Sequence, residues 1–260
     1  MMPTQSVATP RNGISGQVYL FGTCLVDLFY PDAGMAAVAL LEQQGLQVHF
    51  PQGQTCCGQP PYNSGYEREA RAVARKQVPL FPEPWPIVVP SASCAGMLTH
   101  QYPRLLAGTD MEQQAHNLAG RVWELTAFLH RYLGVELQDR GAPVTIAVHG
   151  SCSARRELPV HRDTLALLEQ LERVTVVEPE DAETCCGFGG TFAVKQAELS
   201  ASLAQSKARA LQACGANLLI SGEGGCLMNI AGVLDHGHAD LPQQHIAEFL
   251  WERTRSGARP

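Results

Sequence analysis

Short apolar runs alternate with longer amphipathic segments along most of the chain. In the first half, three apolar runs predict strands, at residues 18–21, 46–50 and 87–89. Apolar residues at helical spacing predict helices between and after them, at residues 31–44, 67–77, 95–106 and 115–133. Strands that alternate with helices in this order predict a parallel sheet that is covered by helices.

The second half of the chain repeats this order. Its predicted strands lie at residues 144–148, 174–177 and 217–220, and its predicted helices at 160–171 and 192–213. The closing helices also resemble each other, since residues 125–129 (Leu-Thr-Ala-Phe-Leu) match residues 246–250 (Ile-Ala-Glu-Phe-Leu). We therefore predict an α/β protein of two pseudo-symmetric lobes, each a small parallel sheet covered by helices, produced by internal duplication.

The predicted lobes divide the chain close to its middle. Residues 1–16 have the composition of a flexible tail, residues 17–140 form the first lobe, and residues 141–260 form the second. The boundary is placed where Asp139, Arg140 and Gly141 interrupt the apolar pattern. A chain of 260 residues with 45% hydrophobic content is long enough for two domains of ordinary size.

Cysteine positions give the strongest sign of duplication. Eight of the nine cysteines form two sets of four: Cys24, Cys56, Cys57 and Cys94, then Cys152, Cys185, Cys186 and Cys226. The offset between the sets runs only from 128 residues (Cys24 to Cys152) to 132 residues (Cys94 to Cys226). Each cysteine or cysteine pair follows a predicted strand, and the carboxyl ends of parallel strands meet at the ligand-binding edge of a sheet. We therefore predict that the four cysteines of each set meet at one site.

Three kinds of chemistry suit these eight thiols. Four-thiolate ligation is typical of iron–sulfur clusters, and adjacent cysteines can reach different irons of one cluster. Structural zinc usually takes close C-x2-C pairs, which neither half contains, but a zinc-stabilised assembly module is the second interpretation. The third is a metal-free thiol–disulfide oxidoreductase that uses the Cys56–Cys57 or Cys185–Cys186 pair.

The net charge and the expected cellular compartment limit which partners and which cysteine chemistry the protein can have. The formal net charge is −6, and nucleic-acid binding would need a basic surface. The sequence has no apolar run of transmembrane length and no signal peptide, so we expect a cytoplasmic protein with reduced thiols. An odd number of cysteines also favours ligands plus one spare thiol over a disulfide framework.

Three further side chains have more than one interpretation. Cys214 has no counterpart in the first half and is expected to be a structural thiol. His149, three residues before Cys152, either donates a hydrogen bond to a cluster, takes a proton or simply packs. Lys195 is expected on a solvated helix face, with charge compensation of a thiolate cluster as the alternative.

The residues around the cysteines are distinctive as well. In the first half they are Thr55-Cys56-Cys57-Gly58-Gln59-Pro60, Asn63-Ser64-Gly65-Tyr66 and Ser93-Cys94-Ala95-Gly96. In the second half they are His149-Gly150-Ser151-Cys152, Thr184-Cys185-Cys186-Gly187-Phe188-Gly189-Gly190 and Cys226-Leu227-Met228-Asn229-Ile230. These stretches resemble the cysteine-rich CCG domain of the cluster-bearing subunit of heterodisulfide reductase, the glycolate oxidase iron–sulfur subunit and lactate utilization proteins. Within that group the similarity is greatest to the lactate utilization protein A family.

One departure from that domain affects the expected cofactor. The fuller family pattern ends each motif with C-x2-C, whereas Ser91 and Glu223 stand at the first position of that pair here. The five-thiolate, non-cubane cluster of heterodisulfide reductase is therefore not carried over, and four thiolates suit an ordinary [4Fe-4S] cluster equally well. We expect one cluster in each lobe.

The resemblance also implies a function. It implies an iron–sulfur electron-transfer subunit of a cytoplasmic complex that oxidises L-lactate to pyruvate, acting with two companion proteins, one of them another iron–sulfur protein. It implies no catalytic residue on this chain, so the chain would be a non-autonomous subunit. The substrate rests on the resemblance alone.

Overall fold

Two parallel sheets with the same topology form the scaffold of the protein. The computed structural model describes residues 16–237 and 241–255. Each sheet has four strands, in the order β2-β1-β3-β4 in the first lobe and β6-β5-β7-β8 in the second. The predicted α/β fold of two repeated lobes is confirmed, and residues 1–15 of the predicted tail lie outside the described residues.

The strands are short, and all neighbouring pairs are parallel. Those of the first lobe are β1 (Gln17–Leu20), β2 (Gln47–His49), β3 (Ile87–Val89) and β4 (Val122–Glu124). Those of the second lobe are β5 (Val144–Val148), β6 (Val174–Val177), β7 (Leu218–Ser221) and β8 (Gln243–His245). Six of the eight correspond to predicted strands.

Helices connect and cover the strands. The first lobe contains α1 (Cys24–Phe29), α2 (Pro31–Gln43), α3 (Gln59–Asn63), α4 (Glu67–Gln77), α5 (Ala92–Gly96), α6 (Tyr102–Leu106), α7 (Glu112–Ala119) and α8 (Leu125–Ala127). The second contains α9 (His161–Leu168), α10 (Phe192–Lys195), α11 (Ala197–Ala213), α12 (Gly224–His236) and α13 (Ile246–Thr254). A 3-10 turn covers Val78–Leu80, and π-helical turns cover Met97–Gln101, Phe128–Tyr132 and Ser153–Glu157. Every helix in the described ranges is too short or too polar to cross a membrane.

The prediction of one helix over residues 115–133 is wrong. Helix α7 ends at Ala119, and strand β4 then pairs with β3, with Ile87 opposite Val122 and Val89 opposite Glu124. Strand β8 in the second lobe was likewise not predicted, and it pairs with β7. Both are edge strands of three residues that include polar side chains, so their pairing with a neighbour outweighs a weak local pattern.

Two other predicted helices are interrupted. The helix predicted over residues 192–213 breaks at Gln196, whose φ of −129° is not helical, and so separates α10 from α11. The helix predicted over residues 95–106 contains the π-helical turn Met97–Gln101 between α5 and α6. Both breaks lie within ten residues after a cysteine of the repeat, Cys186 or Cys94.

The hydrophobic core joins the two lobes. Along β1 and the residue after it, Val18 and Leu20 belong to a core that both lobes share, while Tyr19 and Phe21 belong to a second core whose buried residues all come from the first lobe. In the second lobe, Ile146 faces the shared core in the same way. Alternate strand residues point to opposite faces of a sheet, so each sheet has one face toward the other lobe and one toward its own helices.

Helices from both lobes fill the shared core. Helix α2 contacts α13, and α8 contacts α9. The connection between the lobes is also fixed, because buried Arg253 at the end of α13 forms an ion pair of 2.6 Å with Asp139. The two lobes are therefore held together by apolar packing on one side and by a buried ion pair at the linker.

Candidate metal centre

All eight cysteines of the repeat line one cavity between the lobes. The cavity has a volume of about 190 Å³. The cysteines that line it are Cys24, Cys56, Cys57, Cys94, Cys152, Cys185, Cys186 and Cys226. The sequence predicted that each set would meet at a sheet edge, but not that the two sets would share one enclosure.

In the first lobe, turns at strand ends and helix starts bring four thiols together. Cys24 is the first residue of α1, and Cys94 lies in the first turn of α5. The Cys57 and Cys94 Sγ atoms are 3.3 Å apart, and the Gly58 N–H donates to Cys56 Sγ at 3.4 Å. Gly58 has φ +86°, a left-handed conformation that a residue with a Cβ adopts only with strain.

The second lobe repeats this geometry closely. The Cys186 and Cys226 Sγ atoms are 3.0 Å apart, and the Gly187 N–H donates to Cys185 Sγ at 3.3 Å. Gly187 has φ +82°, and a Cβ on it would lie 2.5 Å from the Ser200 carbonyl oxygen. Glycine is therefore required after both cysteine pairs.

Different side chains hold the two cysteine pairs in place. In the first lobe the buried Tyr102 hydroxyl donates to the Cys57 carbonyl oxygen at 3.0 Å. In the second lobe Asn229 Nδ2 donates to the Cys186 carbonyl oxygen at 2.8 Å. Both donors fix the backbone at the buried cysteine of the pair, but sequence patterns did not assign either role.

The crowded thiols perturb one another. Hydrogen bonds from the Cys24 and Cys57 thiols lower the pKa of Cys56 to about 3, and contact with Cys56 raises the pKa of both partners. In the second lobe, contact with Cys186 raises the pKa of Cys185, and burial raises the pKa of Cys152. Thiols that hinder each other's ionisation gain most from a bound cation, which stabilises all of them as thiolates. The donor set therefore fits a metal group in each lobe.

Ser91 and Glu223 meet at the lobe interface. They occupy equivalent places, as N-caps of α5 and α12, the helices that carry the last cysteine of each set. Glu223 accepts hydrogen bonds from the Ser91 hydroxyl at 2.9 Å, the Ser93 hydroxyl at 2.7 Å and the Ser93 N–H at 3.0 Å. Burial raises the pKa of Glu223. One carboxyl group thus caps a helix of the opposite lobe beside the cysteine cavity.

His149 lies behind the second cysteine set. Its side chain is buried, and neither ring nitrogen has a hydrogen-bond partner. One ring nitrogen and the Sγ atoms of Cys186 and Cys226 all lie within 4.8 Å of one another. Burial, with smaller effects of Lys207 and Arg155, lowers the pKa of His149 to about 3, so the ring is neutral at physiological pH.

The remaining predicted residues lie away from the cavity. Cys214 is half-buried at the end of α11, and its thiol donates to the Leu211 carbonyl oxygen at 3.0 Å. The Lys195 ammonium group stands 5.2 Å from the centre of the Tyr66 ring. A buried cation that sequence patterns missed is Lys207, which donates to the carbonyl oxygens of Asp181 and Ala182.

Comparison with known proteins supports the repeat independently. Residues 18–99 and residues 146–231 each match the cysteine-rich domain family called CCG. The two matches contain all eight cysteines of the repeat.

Relatives of similar length share 40% of their residues with this chain. Lactate utilization protein A 2 of Bacillus cereus (strain Q1) is 40% identical over 235 residues, which is 90% of this chain and 97% of the relative. Lactate utilization protein A of Halalkalibacterium halodurans is 40% identical over 242 residues, 92% of this chain and 99% of the relative. A crystal structure of a hypothetical protein from Helicobacter pylori superposes with a TM-score of 0.64 at 10% identity, covering 96% of this chain and 51% of that one, which supports the fold alone.

Proposed function

The chain belongs to the lactate utilization protein A family of cysteine-rich domain proteins, and from that membership we propose that it is an iron–sulfur electron-transfer subunit in the oxidation of L-lactate to pyruvate. The observation that carries the proposal is the presence of two four-cysteine sets on the wall of one cavity. Four thiolates are the usual ligand set of an iron–sulfur cluster.

Each lobe would hold its own cluster. Cys24, Cys56, Cys57 and Cys94 would bind one, and Cys152, Cys185, Cys186 and Cys226 the other. A bound [4Fe-4S] cluster supplies one-electron chemistry at a potential that its surroundings adjust. The chain supplies those surroundings: the Gly58 and Gly187 N–H groups donate to sulfur, and the helix starts at Cys24, Cys94 and Cys226 favour negative charge.

The walls of the cavity suit redox centres. Val26 and Phe188 line it with apolar surface, and four of its thiols, those of Cys57, Cys94, Cys186 and Cys226, are buried away from water. Lower solvent access strengthens the hydrogen bonds to sulfur. The buried Ser91–Glu223 contact between the lobes forms part of the same wall.

Companion proteins would complete the reaction. Oxidation of lactate to pyruvate removes two electrons and two protons, and thiolate-bound clusters accept electrons one at a time. The sequence carries no dinucleotide-binding fingerprint that would accept a hydride. We propose that two other lactate utilization proteins, one of them iron–sulfur, act with this chain in the cytoplasm.

Iron and acid-labile sulfide in the anaerobically purified full chain test the cofactor directly. The proposal requires a brown protein in which both are present. Lactate-dependent dye reduction, with and without the companions, then tests the role: turnover is expected only in their presence. Robust turnover by the isolated, iron-loaded chain would place a catalytic site on this protein and contradict the proposal.

One observation favours a second candidate, a thiol–disulfide oxidoreductase. The Cys57–Cys94 and Cys186–Cys226 sulfurs are only 3.3 and 3.0 Å apart, so a small movement would join either pair as a disulfide. All four thiols are buried, however, and disulfide exchange needs an accessible sulfur. A colourless protein that reduces a disulfide substrate would favour this candidate, and metal analysis of the same sample would reveal zinc.

A further inference from the structure

The two lobes differ at the residue that precedes each cysteine set. Phe21 follows β1 and His149 follows β5, and each lies three residues before the first cysteine of its set. Their backbones are placed alike, since the Phe21 N–H donates to the Val88 carbonyl oxygen at 2.9 Å and the His149 N–H donates to that of Ile220 at 2.8 Å. The same position thus carries an apolar ring in one lobe and a nitrogen donor in the other.

The surroundings of Phe21 explain that side chain by packing alone. Phe21 is fully buried, and its ring centre lies 6.0 Å from that of Phe81. It belongs to the same core cluster as Cys57 and Cys94. Packing in the core therefore accounts for Phe21 without any role at a metal centre.

Packing does not explain His149 in the same way. A buried imidazole normally hydrogen-bonds through its ring nitrogens, because leaving a buried polar group unpaired is destabilising. His245, which is equally enclosed, accepts from the Ala247 N–H through Nδ1 and pairs Nε2 with the Pro90 carbonyl oxygen. Both nitrogens of His149 lack such a partner.

The position of the ring nitrogen suits a metal. It and the Sγ atoms of Cys186 and Cys226 lie within 4.8 Å of one another. Ligand atoms on one metal are about 3.5–4.5 Å apart, given metal–sulfur and metal–nitrogen bonds of about 2.3 and 2.0 Å. Small side-chain rotations would therefore bring this nitrogen to bonding distance of a metal group that Cys186 and Cys226 also bind.

We propose that His149 is a nitrogen ligand of the metal centre in the second lobe, beside Cys186 and Cys226. This inference rests on the proposed clusters and deepens that proposal, because four thiolates and one imidazole are one ligand more than an ordinary [4Fe-4S] cluster takes, so the second-lobe centre is not an ordinary cubane. The first lobe has Phe21 at the equivalent place, so its centre is bound by sulfur alone. The two centres therefore differ in ligand chemistry despite their common origin.

Pulsed electron paramagnetic resonance on the full chain tests the ligand. The protein is labelled with 15N-histidine, loaded with iron and sulfide under anaerobic conditions, and reduced. We expect a strongly coupled histidine nitrogen on one centre, which persists when Cys57→Ser removes the first-lobe centre. The coupling should be lost in His149→Gln and in His149→Phe, which copies Phe21.

His161→Gln is the matched control, because His161 is also a buried histidine of the second lobe and has an unpaired Nε2. It should keep the coupling. A second-lobe centre that forms but shows only weak nitrogen coupling, or none, would overturn the ligand assignment and leave the proposed function intact. A wild-type chain that binds no iron would overturn both. The labelled wild-type spectrum decides the ligand even if a His149 variant fails to fold.

Discussion

The first and second lobes share a backbone plan but differ in the side chains around it. Both place a cysteine after the first strand, a Cys-Cys-Gly turn after the second and a cysteine in the helix after the third. Around this plan, Phe21 corresponds to His149, and Ser91 corresponds to Glu223. The backbone and the thiols are thus repeated in both lobes, while the neighbouring side chains that contact them differ in charge and polarity.

The thiols themselves also differ in exposure. Cys24 and Cys56 are partly buried, whereas their counterparts Cys152 and Cys185 are exposed. The second set is therefore closer to solvent at one end and has a histidine at the other. This difference means that two groups bound at these sites would not have equal reduction potentials, since exposure and ligand type both affect the potential.

Ligand substitution is expected to have the largest effect. Cys57→Ser should remove the first-lobe centre, and Cys186→Ser should remove the second, because each lobe supplies its own four thiolates. Each variant should lose about half of the bound iron, since a hydroxyl is a harder and less acidic donor than a thiol. Iron and sulfide assays on matched anaerobic preparations measure the loss. Complete loss in both variants would indicate one centre shared between the lobes.

Removing the carboxyl group of Glu223 should have the next largest effect. Glu223→Ala leaves two hydroxyls and one backbone N–H without their acceptor, and we expect a loss of about 2–4 kcal/mol in the free energy of unfolding. Ser91→Ala removes one of these donors and also the acceptor that caps the Cys94 N–H, and it should cost about 1–2 kcal/mol. Urea unfolding of both variants and wild type measures the difference. If Glu223→Ala were as stable as wild type, the Glu223 contact would not stabilise the lobe interface.

Glu124 in the first lobe and His245 in the second should contribute to the free energy of unfolding with opposite dependence on pH. They are equivalent N-caps, of α8 and α13, and both are buried. Burial raises the pKa of Glu124 to about 7, so its contribution to the free energy of unfolding falls as pH rises from about 4.5 to 7. Burial lowers the pKa of His245 to about 4, so its contribution falls as pH drops from about 6.5 to 4.

Variants separate these two contributions. Relative to wild type, Glu124→Gln should flatten the decline in stability toward pH 7, and His245→Asn should flatten the decline toward pH 4, each by up to about 3 kcal/mol. Urea unfolding at several pH values provides the measurement. The prediction is wrong if both variants shift stability equally at every pH.

Cys214→Ala should have the smallest effect. Cys214 has no counterpart in the first lobe and does not line the cysteine cavity. We expect unchanged iron content and a loss of about 1 kcal/mol from the lost sulfur volume. Iron loss in this variant would identify Cys214 as a ligand and would add a further difference between the lobes.

The sequence was sufficient for much of the fold within each lobe. Apolar runs identified six strands, and the position of each cysteine after a strand correctly indicated that four thiols would meet in each lobe. The edge strands β4 and β8 were not predicted from the sequence. Each has only three residues, too few to show an apolar periodicity, and each forms by pairing with a neighbouring strand. The common cavity was not predicted either, because it is formed by residues of both lobes and depends on how the lobes pack against each other. The hydrogen-bond partners of Glu223 were not predicted either, because they lie far away in sequence and meet Glu223 only when the lobes pack together.

A reductive titration of the anaerobically purified full chain, followed by electron paramagnetic resonance, tests the central claim most directly. Two iron–sulfur centres in unequal surroundings should give two signals with different midpoint potentials. Cys186→Ser should abolish one signal, and Cys57→Ser the other. Absence of any iron signal, or a single signal that both variants abolish, would contradict a duplicated protein that holds one distinct centre in each lobe.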